Sequence, residues 1–280
     1  MTRQACAATG RLVLGDNLPV LKGLADCSVD LVYADPPFNT GKARRHARQK
    51  AERDPESTRA GFGGQVYRLE IDGEERGYAD AFDDYLGFLE PRLREIHRVL
   101  AAHGSLYLHV DPRESHYVKV LLDRIFGRAA FLNEIVWAYD FGGRPKSRWP
   151  AKHDVILFYA KTPGQHRFDQ EAVERIPYMA PGLAGPEKAA RGKLPTDVWW
   201  HTIVPTSGHE RTGYPTQKPL GVLRRIVAAS SAPGDLVLDP FAGSGTTGAA
   251  CMELGRRFLL IDDNPEAHQV MTARLAEALA

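Results

Sequence analysis

Two short stretches hold residue types that could do chemistry. The first is Asp35-Pro36-Pro37-Phe38, which follows the apolar run at 31–34 without a spacer. Leu31, Val32 and Tyr33 suit a packed, pleated surface, and two prolines then stop any ladder because neither has an N–H to donate. The result is a rigid turn at a strand's carboxyl end, holding out one carboxylate, two carbonyls and a ring. The second stretch is DLVLDPFAGSGTTGAAC at 235–251, a strand, a turn of small residues and a helix start. Gly243-Ser244-Gly245-Thr246-Thr247-Gly248 satisfies GxGxxG, and Asp262 and Asp263 end the next apolar run. Taken singly, each has an ordinary reading as a turn.

The second stretch has the layout of a nucleoside-binding βαβ unit, in which a strand-end acid takes ribose hydroxyls. A dinucleotide is the obvious rival ligand, and Asp239 separates the two. It closes the strand just before the loop, near the helix N-terminus that would hold a pyrophosphate. A carboxylate there repels a diphosphate and suits a ligand with ammonium and sulfonium charge, as in S-adenosylmethionine. No Gly-Lys-Ser/Thr follows the glycines, so a P-loop is excluded. Asp16 and Asn17, after the run at 11–14, are placed to reach a purine if that strand neighbours the cofactor, although Gly-Asp-Asn is also a routine turn.

Beside a methyl sulfonium, the Asp-Pro-Pro-Phe turn becomes legible. The exocyclic amine of adenine or cytosine is a poor nucleophile because its lone pair is delocalised into the ring. An acceptor on each amine hydrogen draws the nitrogen toward tetrahedral geometry. Asp35 supplies one acceptor and the Pro36 carbonyl the other, while Phe38 offers a face for stacking. Such chemistry cannot reach a base inside a duplex, so the base must be flipped out. Methylation at cytosine carbon 5 would call for a cysteine nucleophile, typically after a proline. Cys6, Cys27 and Cys251 follow Ala5, Asp26 and Ala250 instead.

The elements that must position these residues follow from periodicity. Apolar runs at 11–14, 30–34, 105–110, 133–138, 154–160, 235–239 and 257–262 read as strands. Helical patterns fall at 82–101, 113–126, 218–231, 246–255 and 265–279. That alternation predicts a mostly parallel sheet with helices on both faces, with an antiparallel pair near 133–160. Two segments break the rhythm. Residues 39–81 are too long for an ordinary loop and begin with a basic run that includes Lys42, Arg44 and Arg45, read equally as a solvated helix or a flap over a polyanion. Residues 162–213, rich in Pro, Gly and His, read as an inserted lobe; Trp199 and Trp200 there suit packing better than base reading.

Over 280 residues, 43% are hydrophobic and 25% charged, with a net charge of +1, so any basic surface must be local. Three scattered cysteines predict neither a disulfide framework nor a metal site and suit a reducing cytoplasm. No apolar run reaches membrane length, and the first residues lack a signal-peptide core.

With these motifs in place, the chain resembles the β group of prokaryotic DNA amino-methyltransferases, in which the catalytic motif precedes the cofactor loop. GDNLPVLKGLADCSVDLVYADPPFNTG is similar to that family's N-terminal block, and GYPTQKPLGVLRRIV to its Pro-Thr-Gln-Lys-Pro segment. DLVLDPFAGSGTT and LGRRFLLIDDNPE resemble its cofactor loop and the following acidic strand. The resemblance implies a Rossmann-like fold of the α/β class, a seven-stranded mixed sheet permuted so that the cofactor half comes last. The catalytic half spans 1–161 with its flap at 39–81, the target-recognition lobe 162–213 and the cofactor half 214–280.

By resemblance, Asp35, Pro36, Pro37 and Phe38 are catalytic. Asp239, Phe241, Gly243, Ser244, Gly245, Thr246 and Asp262 hold the cofactor, with Asp16 and Asn17 toward its adenine. Thr216, Gln217, Lys218 and Pro219 close over the methionine end. Lys42, Arg44, Arg45, Arg144, Lys146, Arg148 and Lys152 are expected on phosphates, and an arginine such as Arg167 or Arg191 could read guanine. Double-stranded DNA is the implied partner; a second copy of the chain and a restriction endonuclease are companions that the residues leave open. Adenine N6 is favoured over cytosine N4, because an acid heads the motif more often in the adenine enzymes. RNA amino-methylation and a dinucleotide-dependent oxidoreductase are the rivals. Asp239 and the Asp-Pro-Pro-Phe turn count against the oxidoreductase.

Overall fold

The computed structural model describes residues 10–39, 44–53, 67–78, 82–205 and 208–279, with the backbone alone over 44–53 and 67–78. The strands are β1 (Gly10–Leu14), β2 (Val29–Ala34), β3 (Arg44–Arg53), β4 (Tyr67–Tyr78), β5 (Leu100–Val110), β6 (Phe131–Ala138), β7 (His153–Ala160), β8 (Val198–Trp200), β9 (Leu236–Asp239) and β10 (Arg257–Asp262). The helices are α1 (Asn17–Gly23), α2 (Tyr85–Val99), α3 (Ser115–Phe126), α4 (Pro181–Ala184), α5 (Pro186–Arg191), α6 (Leu220–Ser230), α7 (Thr246–Leu254), α8 (Pro265–Arg274) and α9 (Ala276–Leu279), with a short 3-10 turn at Arg128–Ala130.

One eight-stranded sheet runs in the order β1-β10-β9-β2-β5-β7-β6-β8. Its first five strands are parallel, β7 is antiparallel to both neighbours, and β8 lies parallel to β6. All seven expected strands are present, and the count of seven is corrected to eight. The extra strand is the three-residue β8, which takes the edge position beyond the antiparallel pair of β6 and β7. It comes from within 162–213, and Trp199 carries that segment into the core while Trp200 is exposed.

Local sequence explains the helix starts. Asp16 caps α1 by accepting from Leu18 N at 3.1 Å, and Asp84 caps α2 by accepting from Gly87 N at 2.8 Å. Asn264 caps α8 through Glu266 N at 2.9 Å, with Pro265 at the first helical position. Both faces of the sheet are covered. Leu31, Tyr33, Val237 and Leu260 join a core with Leu223, Ile226, Ala250 and Met271 of α6, α7 and α8. The alternate residues Val32, Leu106, Leu108 and Ile261 are equally buried, on the side of α1, α2 and α3.

Residues 39–83 form a separate compact unit. Its described core is the antiparallel hairpin of β3 and β4, and Asn39 Oδ1 accepts from Phe82 N at 3.0 Å where the unit begins and ends. Of the two readings of this basic run, a helix is therefore excluded.

Candidate active site

After β9 the chain turns to β10 on one side, and after β2 the sheet continues to β5 on the other. Between β9 and β2 lies the switch point where open parallel sheets bind ligands, outside the strands' carboxyl ends. Asp239 ends β9 and Asp35 follows β2, so the two stretches with chemical promise meet there.

On the cofactor side, Asp239 is almost wholly buried. Its Oδ1 accepts from Phe241 N at 3.0 Å and its Oδ2 from the Thr247 hydroxyl at 2.5 Å. Burial pushes its carboxyl up to about 7, against the pull of those two hydrogen bonds, with the charges of Asp35 and Asp262 adding to the rise. Asp262 closes β10 and accepts from Gly243 N at 2.8 Å and Asn264 N at 2.9 Å. Burial also raises its carboxyl. Gly245 turns the chain with φ +73, a left-handed conformation, and starts α7. Gly248 lets α7 lie against the sheet, since a Cβ there would come within 2.8 Å of Leu260 and Leu275.

Ser244 and Thr246 are buried and brace the loop: Arg274 donates to Ser244 O at 3.2 Å and to Thr246 Oγ1 at 2.9 Å. Asn17 is likewise a brace, giving its amide to Pro240 O at 2.7 Å and accepting from Arg92 Nε at 2.6 Å. Arg92 also pairs with Asp16 at 2.8 Å and lies 3.9 Å over the Phe88 ring, which faces Phe241 at 6.2 Å. Asp16, Asn17 and Phe241 are thus brought together, with Phe88 and Arg92 added from α2.

On the catalytic side, the Lys218 ammonium donates to Asp35 Oδ2 and sits 5.0 Å from the Phe38 ring centre. Asp35 Oδ1 is buried and, among the described residues, has no hydrogen-bond partner. Behind it lies His109 of β5, fully buried, with Nδ1 3.6 Å from that oxygen and 2.9 Å from the Tyr33 hydroxyl. Its Nε2 is 3.2 Å from Asp154 Oδ2, and Tyr139 donates to the other oxygen of Asp154 at 3.2 Å. Burial would raise the Asp154 carboxyl, but the bond to and charge of His109, with Lys218 and Tyr139, outweigh it and hold the group below its ordinary value. A carboxylate can only accept, so Nε2 of His109 carries a proton and donates to Asp154. Burial, then the charges of Asp35, Asp239 and Asp154, keep the Tyr33 phenol well above its usual value, so it stays protonated beside Nδ1. The rings of Phe38 and Trp137 lie 5.4 and 5.5 Å from that of His109.

The segment before α6 joins the two sides. Gln217 accepts from Thr212 N at 2.8 Å and donates to Glu210 O at 2.6 Å, and Thr216 has a strained φ of +59. Pro219 caps α6, and Thr246 Oγ1 donates to Lys218 O at 3.1 Å, tying this segment to the glycine-rich loop. Lys218 itself reaches the Asp35 carboxylate.

Of the residues expected on DNA, Arg144, Lys146 and Arg148 are exposed in the loop joining β6 to β7, and Lys152 ties that loop by donating to Gly142 O at 2.6 Å. Arg44 and Arg45 lie in β3, and Lys42 falls outside the described residues. Arg167 is at the wrong end of the sheet to read a base at this site: it pairs with Asp235, which precedes β9, at 2.5 Å. His109, Asp154, Tyr33 and Tyr139 were not foreseen as site residues. Each stands in or beside an apolar strand, where a lone polar residue has no spacing to mark it.

The crevice suits S-adenosylmethionine, because the acids Asp239 and Asp262 meet at the glycine turn, where a diphosphate would be repelled. The orphan Oδ1 of Asp35 beside it suits an N–H donor. A family model described as DNA methylase, of the N6/N4 methyltransferase class, matches residues 29–273. The "DNA adenine methyltransferase YhdJ" of Escherichia coli K12 is 31% identical over 277 residues, covering 94% of this chain and 82% of that protein. The "Type II methyltransferase M.HpaI" of Haemophilus parainfluenzae is also 31% identical, covering 95% and 74%. Among solved structures, the cytosine-N4-specific PvuII DNA methyltransferase superposes with a TM-score of 0.66 at 15% identity, covering 98% of this chain and 87% of that one. The chain therefore belongs to the N6/N4 DNA methylase family, whose members transfer a methyl group from S-adenosylmethionine to an amino group of a DNA base.

Proposed function

We propose that this chain methylates adenine N6 in duplex DNA, with Asp35 and Pro36 as the two acceptors for the amine hydrogens. The observation that carries this reading is Oδ1 of Asp35, a buried acceptor left without a hydrogen bond on a turn too rigid to withdraw it. An amine donating one N–H there and the other to the Pro36 carbonyl has its nitrogen lone pair localised toward the methyl donor. When bound, S-adenosylmethionine supplies the electrophilic methyl group. Phe38 stacks on the base, and Asp35 takes the proton that the methylated nitrogen gives up. Tyr33, His109 and Asp154 hold the back of that turn, so His109 is a positioning residue. Asp239, Asp262 and the 214–219 segment hold the cofactor side.

The acid that heads the motif supports adenine. So does the relative whose printed activity is on adenine, at 31% identity, whereas the cytosine-specific structure is alike at 15%. Residues 162–213 are the proposed target-recognition segment, and the type II designation of M.HpaI supports a companion restriction endonuclease acting on the same site.

The test is transfer from labelled S-adenosylmethionine to unmethylated genomic DNA, digested to nucleosides and identified by mass spectrometry. N6-methyladenine is expected, and its loss in Asp35→Ala with cofactor binding retained. N4-methylcytosine would overturn the adenine assignment, and an active Asp35→Ala would overturn the role of Asp35.

A further inference from the structure

The loop between β6 and β7 carries more than the catalytic residues use. It springs from the same end of the sheet as Asp35 and Asp239, because Ala138 pairs with His153 and Val110 pairs with Val155. Its root is firm: Tyr139 N donates to Lys152 O at 3.1 Å, Lys152 Nζ donates to Gly142 O, and the Tyr139 hydroxyl bonds Asp154. Those contacts tie it to the His109 network behind Asp35. On its returning arm, three residues before Lys152, is Trp149, 94% exposed, and on the outgoing arm a second ring, Phe141, is 64% exposed. Tryptophan is on average highly buried in folded proteins, so an indole this bare is informative.

Its surroundings point to one kind of partner. From 140 to 152 the cations are Arg144, Lys146, Arg148 and Lys152, and the one acid is Asp140. A cationic rim repels a second copy of the same loop and attracts phosphates. Pro150 follows Trp149, which confines Trp149 to extended conformations, and Pro145 stiffens the approach. A flat apolar ring on a preordered basic loop suits a gap between stacked bases. Removing the target base from a duplex creates such a gap, and Phe38 is already committed to the base that leaves.

We propose that Trp149 is the wedge that enters the duplex stack when the target base leaves it, with Arg144, Lys146 and Arg148 on the flanking phosphates. This rests on the duplex-DNA reading above. Trp149 touches the bases left behind and acts on extrusion; the cofactor side and Asp35 do not depend on it.

The experiment uses the whole chain and the duplex sequence around a position that it methylates in a plasmid, mapped by sequencing. Single-turnover methylation is compared on that duplex fully paired and on one with the target base mispaired, which lowers the cost of extrusion. Trp149→Ala is expected to slow the paired duplex roughly 10- to 100-fold and the mispaired one by only a few-fold. Trp149→Phe is expected to keep most of the rate, and S-adenosylmethionine affinity should be unchanged in both. Equal slowing on the two duplexes, or no slowing on either, overturns the wedge while the DNA reading stands. No transfer to DNA by the unaltered chain overturns both.

Discussion

Lys218 and Asp35 are 183 residues apart in the chain, and the ammonium of the first is hydrogen-bonded to the carboxylate of the second. Both side chains are mostly buried, at 11% and 16% exposure. The pair therefore joins the segment before α6 to the turn after β2, across the crevice between the two halves of the site. A pair so placed holds the Asp35 carboxylate at one angle, with Oδ2 engaged by Lys218 and Oδ1 left without a hydrogen bond among the described residues, 3.6 Å from His109 Nδ1.

Removing one partner of a largely buried pair leaves the other desolvated and uncompensated. Lys218→Met is expected to lower stability by about 1–3 kcal/mol and to reduce methyl transfer. The double variant with Asp35→Asn should regain most of that stability but none of the activity. Urea denaturation of the four chains of this cycle checks it; strictly additive losses would show that the two side chains are not coupled.

Asp239 sets a pH dependence for cofactor binding. Its carboxyl, raised by burial to about 7, is substantially protonated below that pH, whereas a cationic ligand end favours the carboxylate. Binding below pH 7 must therefore expel a proton. Affinity for S-adenosylmethionine is expected to rise as pH rises through about 7, at up to about tenfold per unit on the acid side, and then level off. Asp239→Asn should bind more weakly at high pH and with a flatter profile. Calorimetry across that range reads both, and an affinity that falls with rising pH contradicts the arrangement.

The His109 network predicts a split between turnover and binding. His109→Asn loosens the support of Phe38 and of the Asp35 turn without touching the cofactor loop. The expected effect is a loss of up to roughly 100-fold in the single-turnover rate with little change in S-adenosylmethionine affinity. Asp154→Asn should resemble it, because an amide can donate to Nε2 and so reverse the tautomer. The two losses should fail to add, since they act through one ring. A matching fall in cofactor affinity would assign the network to the wrong half of the site.

What the sequence made legible was periodic or rigid. Seven strands of the main sheet stand out because apolar runs bounded by turns have few other uses, and the glycine-rich loop because only small residues allow α7 to close on Leu260. The two prolines after Ala34 marked Asp35 as fixed in space. Three things were hidden. The three residues of β8 are too few for alternation to show. Residues 44–53, RRHARQKAER, lack the β-branched and aromatic types that mark strands, so pairing with β4 determines their conformation. His109 sits between Leu108 and Val110 in a run that reads as core; its meaning comes from Asp154, Tyr33 and Asp35, which only the folded sheet brings beside it.

The strand order has a consequence for synthesis. Among the described residues, β1 pairs only with β10, and one edge of β2 pairs only with β9, yet those partners are made more than 200 residues later. Until they are made, β1 lacks this neighbour and β2 presents an open apolar edge, the kind of surface that invites aggregation. Closing those ladders joins residues more than 200 positions apart, a high contact order that slows folding. The growing chain thus cannot complete its site before β9 brings Asp239 and β10 brings Asp262 beside Asp35.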